Sequence, residues 1–193
     1  MYLKLRGDCY KEFIGSHKAW FYLSDTGDQT RIQYISCSKN RSSCAAFTPL
    51  ETKKGVMVWA AICCAGKSKL WFIEPGCKIN AEYYSQKVLK PFIKEDYHRL
   101  YPSGDDVFQQ DSASAYAAKL TVAFLKEAGI PFITPEEWML NSPDCAPCDF
   151  FLWGYLKKKL FGCKATTIDE LKNVIRREYW KILQFTIDKP MWR

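Results

Sequence analysis

The stretch Phe108-Gln109-Gln110-Asp111-Ser112-Ala113-Ser114-Ala115-Tyr116-Ala117-Ala118-Lys119 decides how the chain is read. Val107 to Asp111 reads as a short strand. The residues from about Ser114 to Ala128 read as a helix that Gly129 and Pro131 stop. A strand passing straight into a helix is a building unit of parallel sheets, and open α/β sheets carry functional groups at the carboxyl ends of their strands. Asp111 stands at such an end. It also has a simpler reading, because a carboxylate near the start of a helix contributes about 0.3–1 kcal/mol whether or not it does chemistry. Taken alone, the segment fits the simpler reading better.

Upstream, Ala19-Trp20-Phe21-Tyr22-Leu23 is an apolar run closed by the turn residues Ser24 to Asp28. Arg31-Ile32-Gln33-Tyr34-Ile35 then alternates with period two, and the two runs predict a hairpin. The polar, aperiodic residues from Ser36 to Gly55 predict a long connection. Val56 to Ile62 is another strand, joined through a turn around Gly66 to Lys69-Leu70-Trp71-Phe72-Ile73. Asn80 suits the N-cap of a helix with the apolar stripe Tyr84, Val88, Leu89, Phe92 and Ile93, ending before Pro102.

Downstream of Asp111, Phe132 to Thr134 is a short strand and Asp149 to Leu160 a helix. Thr167-Ile168-Asp169-Glu170 opens a last helix with a capping box, and Ile168, Leu171, Val174, Ile175 and Ile182 supply its buried face. An antiparallel start continued by parallel strands and helices is a mixed α/β pattern.

Composition bounds the rest. At 193 residues with 48% hydrophobic content, the chain is long enough for one domain with a substantial core. No apolar run approaches the eighteen residues of a membrane span, and the first residues lack the apolar core of a signal peptide, so an intracellular place, nucleus or cytoplasm, is expected. Nine cysteines at irregular spacings predict reduced, mostly buried thiols rather than a disulfide framework. Cys145-x-x-Cys148 lacks the second pair that a structural zinc site needs. The net charge of +7 is uneven: from Phe150 to Arg193 there are ten Lys or Arg against four Asp or Glu. That excess fits either a polyanion partner or a solvated, lysine-rich helix face.

The proline-punctuated loop Asn141-Ser142-Pro143-Asp144-Cys145-Ala146-Pro147-Cys148-Asp149 delivers a second carboxylate, Asp149, to the start of a helix. Acids gathered from distant segments suit Mg²⁺, a hard ion that takes oxygen ligands, and paired ions stabilise both oxygens of an in-line phosphoryl displacement.

At this point the sequence resembles the transposases of the mariner and Tc superfamily. The resemblance rests on Val56-Met57-Val58-Trp59-Ala60, Lys78-Ile79-Asn80-Ala81-Glu82-Tyr83-Tyr84, Gln110-Asp111-Ser112-Ala113, Asn141-Ser142-Pro143-Asp144, and Ala146-Pro147-Cys148-Asp149 leading into Leu152-Trp153-Gly154-Tyr155-Leu156-Lys157, all in the family's order. The 37 residues between Asp111 and Asp149 are similar to one of the family's spacings between its last two catalytic acids. The resemblance implies an RNase H-like fold over residues 1–193, with three acids holding two Mg²⁺ or Mn²⁺ ions that cut and join DNA. Asp111 and Asp149 match the second and third acids. DNA is the implied partner, a homodimer the implied assembly, and no membrane is involved. Trp153 and the run Lys157-Lys158-Lys159 are candidates for DNA proximity, against the plainer readings of core and solvated surface.

The sequence departs from the family at the first acid. Gly15-Ser16-His17-Lys18-Ala19-Trp20-Phe21 puts His17 and Lys18 where the family has Asp and Glu. Imidazole is a poor ligand for Mg²⁺, and Lys18 adds positive charge beside the cations, so weak metal binding and impaired catalysis are expected. Asp25 is too far along the strand to substitute. The family's N-terminal helix-turn-helix modules have no counterpart in this sequence, so sequence-specific end binding is expected to be lost. The expected function is a transposase-derived DNA-binding, cleaving and joining domain with impaired chemistry. The alternatives are a non-catalytic nucleic-acid or protein-binding module and a decayed copy without a role.

Overall fold

The structure is a computed structural model and describes residues 13–26, 54–74, 76–77, 79–102, 104, 106–111, 113–115, 117–134, 136–137 and 148–183. Its centre is β1 (Phe13–Tyr22), which pairs antiparallel with β2 (Gly55–Cys63) along eight residues, from Gly15 opposite Ile62 to Tyr22 opposite Gly55. On its other edge β1 pairs in parallel with β5 (Val107–Gln109), Gly15 lying opposite Gln109. The short strands β3 (Gly66–Lys67) and β4 (Trp71–Phe72) both pair antiparallel with β2, so the sheet runs β3-β2-β1-β5 with β4 also on β2.

This is the expected mixed sheet, with two adjustments. The first strand begins at Phe13 rather than Ala19, so His17 lies inside it, and its antiparallel partner is β2. The proposed second strand at Arg31 to Ile35 and nearly all of the connection after it lie outside the described residues. The strand expected at Phe132 is reduced to a single parallel bridge with Phe108.

β2 explains the layering. Val58, Ala60 and Ile62 point to one face and Trp59, Ala61 and Cys63 to the other, and all six are buried. A strand covered on both faces reads as a continuous apolar run. One face is closed by a helical run over residues 81–100, α1, and by α2 (Lys119–Glu127), which pack Tyr84, Val88, Leu89, Phe92 and Leu125 against Trp59 and Phe108. The other is closed by residues 148–160, α3, and by α4 (Ile168–Trp180), through Leu152, Trp153, Leu156, Leu171, Ile175 and Tyr179. Each fully buried large apolar side chain contributes about 1.5–3 kcal/mol. Trp153, a sequence candidate for DNA proximity, is part of this core at 4% exposure, its indole edge-on to Phe21.

Local chemistry sets the helix ends. Asn80 caps α1 by accepting from the Tyr83 N–H at 2.8 Å, as expected. α1 alternates α-helical turns with π-helical turns at Tyr84–Leu89 and Ile93–Tyr97. Pro91 sits between them, and a proline inside a helix offers no N–H and crowds the preceding turn, which wider turns accommodate. α2 starts at Lys119, later than the expected Ser114. The Thr121 hydroxyl donates to the Ala115 carbonyl at 2.6 Å and Ala118 is extended, so the described residues before Lys119 form a turn at 114–115 and a bend at 117–118, not helix. Gly129, at φ 68, ends α2 as predicted. Thr167 and Glu170 form the complete capping box of α4. Gly55 has a steric reason: a Cβ there would lie 2.6 Å from both the Phe21 carbonyl oxygen and the Tyr22 ring.

Among the described residues five cysteines stand outside any disulfide; Cys63 and Cys148 are buried, but Cys77 is exposed, so the thiols are less uniformly interior than expected. No helix of the described residues is long and apolar enough to cross a membrane.

Lys67 on β3 holds the end of α4. Its Nζ donates to the carbonyls of Tyr179 at 2.7 Å, Trp180 at 3.3 Å and Ile182 at 2.6 Å, at and just beyond the C-terminal end of the helix, where a cation is favourably placed. Lys67→Met removes all three contacts and is expected to destabilise the domain by about 1–3 kcal/mol. Lys158→Met, at an exposed site, is expected to change the unfolding midpoint in urea little, and comparing the two midpoints checks the assignment.

Candidate active site

β1, β5 and α3 each deliver one side chain to the same place. Residues of one parity on β1, His17 and Phe21, face α3, and the thiol of Cys148 fixes that helix by pointing at the Gly15 carbonyl at 3.4 Å and the Ala60 carbonyl at 3.8 Å. Asp149 follows Cys148 and is thereby set beside β1. Asp111 follows the last strand residues of β5, whose position next to β1 is fixed by the parallel ladder and by the Ser16 hydroxyl, which donates to the Gln109 carbonyl at 3.0 Å. Behind it the Tyr84 hydroxyl donates to Gln110 Oε1 at 3.1 Å and ties α1 to the same strand.

The result is a histidine between two carboxylates. His17 Nδ1 lies 3.1 Å from Asp111 Oδ2 and His17 Nε2 lies 3.1 Å from Asp149 Oδ1, the histidine being 17% exposed. Nδ1 is buried and not aligned for a hydrogen bond, so Asp111 is a close polar neighbour of the ring rather than its hydrogen-bond acceptor. Asp111 spends its other oxygen on the chain, Oδ1 accepting the Ala113 N–H at 3.1 Å. Asp111 and Asp149 thus both lie against His17, the residue that the resemblance sets at the first-acid position.

The two acids are tuned in opposite directions. Burial by itself would raise Asp111, but the His17 ring, the Lys18 ammonium and the Ala113 N–H outweigh it and hold its pKa below the ordinary carboxylate value. Burial raises Asp149, helped by the like charge of Asp111, and His17 and Lys18 only partly offset it. Lys18 is lowered by burial in spite of its attraction to both acids. Opposite shifts of neighbouring acids follow from partial burial beside charged partners, as in active sites and in structural ion-pair networks alike.

Paired Mg²⁺ does not fit these residues. Two oxygens that share one Mg²⁺ at 2.0–2.1 Å can be at most about 4.2 Å apart. The Asp111 and Asp149 oxygens that face each other here are separated by an imidazole ring with a 3.1 Å contact on each side. Among the described residues no group of three or more His, Cys, Asp or Glu is arranged to hold a metal ion. Lys157, Lys158 and Lys159 are exposed on α3 and outside the pocket. Lys157 Nζ sits 5.9 Å from the Phe21 ring centre and Lys159 Nζ 5.5 Å from that of Tyr155.

A helix-flanked mixed sheet of this kind is shared with solved proteins. The chain has the fold of the mariner transposase catalytic domain. It superposes on a Mos1 transposase paired-end complex with a left transposon end at a TM-score of 0.76 and 16% identity, covering 98% of this chain and 54% of that one. It matches the Mos1 transposase catalytic domain with Raltegravir and Mn at 0.69 and 14% identity, covering 98% and 80%. The Mos1 mariner catalytic domain on its own matches at 0.60 and 15% identity, covering 98% and 85%. This chain spans about half the length of the Mos1 chains in the DNA-end complexes. No protein-family model matches the sequence, and a search of curated proteins returns no match. The RNase H-like class expected from the motifs is thus the class observed.

Sequence reasoning found both acids and flagged His17, but it treated the histidine as a gap where an acid was lost. It missed Cys148 as the anchor of Asp149 and Ser16 as the brace of β5; both stand immediately before a site residue, the one available signal. If the site is built as described, carboxyl NMR titration places the Asp149 midpoint above the ordinary aspartate value and the Asp111 midpoint below it. The reverse order would contradict the charge arrangement.

Proposed function

We propose that this chain is a transposase-derived domain that binds DNA and has lost two-metal DNA cleavage. The observation that carries the reading is the His17 ring placed between Asp111 and Asp149, which fills with an organic cation former the space where carboxylates of a working site would meet Mg²⁺. The Mos1 relatives that share the fold were solved with Mn or Mg and with a transposon end, and that supports DNA as the partner and divalent ions as the ancestral cofactor.

Without paired ions, the residues present retain two capacities. The Lys18 ammonium and the His17 ring stand beside the two acids and offset part of their charge, so that the pocket repels a phosphate backbone less than bare carboxylates would. The lysine run on α3 begins eight residues after Asp149, roughly 12 Å along a helix at 1.5 Å per residue. A single duplex can therefore touch both. Lys157, Lys158 and Lys159 are the proposed phosphate contacts, with affinity that depends on salt and not on sequence. The nucleus is the compartment in which such a domain meets DNA.

Two measurements test the reading. Purified protein with Mg²⁺ or Mn²⁺ is expected to leave a plasmid uncut, and His17→Asp with Lys18→Glu is expected to raise cleavage above that background. Mg²⁺-dependent cleavage by the unmodified chain, abolished by Asp111→Ala, would overturn it. Replacing Lys157, Lys158 and Lys159 by alanine is expected to weaken duplex binding and to flatten the log–log salt dependence by about 1 for each lysine that contacts a phosphate. An unchanged slope would remove the ridge from the interface.

A further inference from the structure

We propose that Phe161, at the end of α3, is a stacking platform for an unpaired DNA base, so that this edge of the domain prefers a strand leaving a duplex to the duplex itself. The inference rests on the reading of Lys157, Lys158 and Lys159 as phosphate contacts and names the form of DNA that they hold. Leu152, Leu156 and Leu160 form the inward row of α3 and are buried, whereas Phe161 stands outside that row at 60% exposure. A single apolar ring left in water is common on protein surfaces and by itself carries no meaning. Two further observations give this one a direction.

The first is that the ring is uncovered. Trp20, also exposed, lies flat on Tyr22 with ring centres 5.7 Å apart and planes 6° from parallel. Exposed Trp180 has the Tyr179 ring edge-on at 5.9 Å and Lys67 Nζ at 5.5 Å. Of these three aromatics, Phe161 alone has no ring or cation against it among the described residues. The second observation is uncompensated charge beside it. The cations near Trp180 are engaged, Lys67 with three carbonyls and both Arg177 and Lys181 with Glu178 Oε1 at 2.9 Å. Lys157, Lys158 and Lys159 are exposed, and among the described residues none of them pairs with a carboxylate.

The helix sets ring and lysines together. The Phe161 N–H donates to the Lys157 carbonyl at 3.1 Å, so its Cα keeps the helical register, and residues three and four apart share a face. Phe161 therefore stands one turn beyond Lys157 and Lys158, and the chain turns away after it at Gly162, φ 82. One turn is about 5.4 Å, within two nucleotide steps of about 3.4 Å each, so a base next to a phosphate held by Lys158 reaches the ring. In a duplex the base faces are already stacked on one another. An exposed phenyl finds a free face only where a strand has left its partner, and with no donor or acceptor it reads no sequence.

Binding to a blunt duplex and to the same duplex with a single-stranded extension, followed by fluorescence anisotropy at one salt concentration, tests the proposal. The extension should bind tighter. Phe161→Ala should remove that advantage, a loss of roughly 5- to 150-fold on the extended DNA, and leave blunt-duplex affinity unchanged. Phe161→Tyr should keep the advantage, and 2-aminopurine in the extension should be quenched by the unmodified chain and by Phe161→Tyr but not by Phe161→Leu. Circular dichroism and the urea midpoint verify that each variant is folded; because the ring is exposed, Phe161→Tyr and Phe161→Leu carry the comparison if the alanine variant is not. Equal affinity for the two DNAs, or equal loss on both in Phe161→Ala, would overturn the stacking role while leaving the lysine contacts standing. Failure to bind either DNA would overturn both readings.

Discussion

The contact on which the rest depends is one imidazole held between two carboxylates. β1 brings His17, β5 ends at Asp111 and α3 begins at Asp149, so three elements distant in sequence meet at two 3.1 Å contacts. Two half-buried aspartates so near each other would repel, and leaving either charge uncompensated where little water reaches it is costly. The ring and the neighbouring Lys18 supply the compensation. The opposite shifts of the two acids follow from the same geometry: Asp111 is better served by the positive groups and by a backbone N–H, whereas Asp149 pays more for burial and for its like-charged neighbour.

The packing explains why this contact is fixed in place. β2 is buried on both faces and forms the floor, and helices on each face clamp β1 between β2 and β5. Cys148 and Ser16 then set the last details, one pinning α3 to the backbone of β1 and β2, the other pinning β5 to β1. A pocket braced from four elements tolerates a change of chemistry at its centre.

Much of that scaffold was legible in the sequence because its signals are local. The double-sided apolar run of β2, the Asn80 cap, the capping box of Thr167 and Glu170, and Gly129 at the end of α2 each state their structure within a few residues. The start of α2 was misread because alanines favour helix while the Thr121 hydroxyl, six residues on, takes the Ala115 carbonyl and holds the chain in turns. Trp153 was open between core and surface because only the tertiary fold sets its indole against Phe21. The acids could be named from spacing and motif. The bridge could not, since pairing of position 17 with positions 111 and 149 is a property of the sheet and not of any segment.

The account stands or falls on the imidazole standing between the two acids in place of a metal ion. The most direct measurement is the melting temperature of the unmodified chain and of His17→Asp, each in chelator and then with Mg²⁺. The account predicts that His17→Asp melts lower in chelator, because three carboxylates then face one another, and that Mg²⁺ recovers it while leaving the unmodified chain unmoved. A variant as stable as the parent in chelator, or a parent strongly stabilised by Mg²⁺, would contradict it.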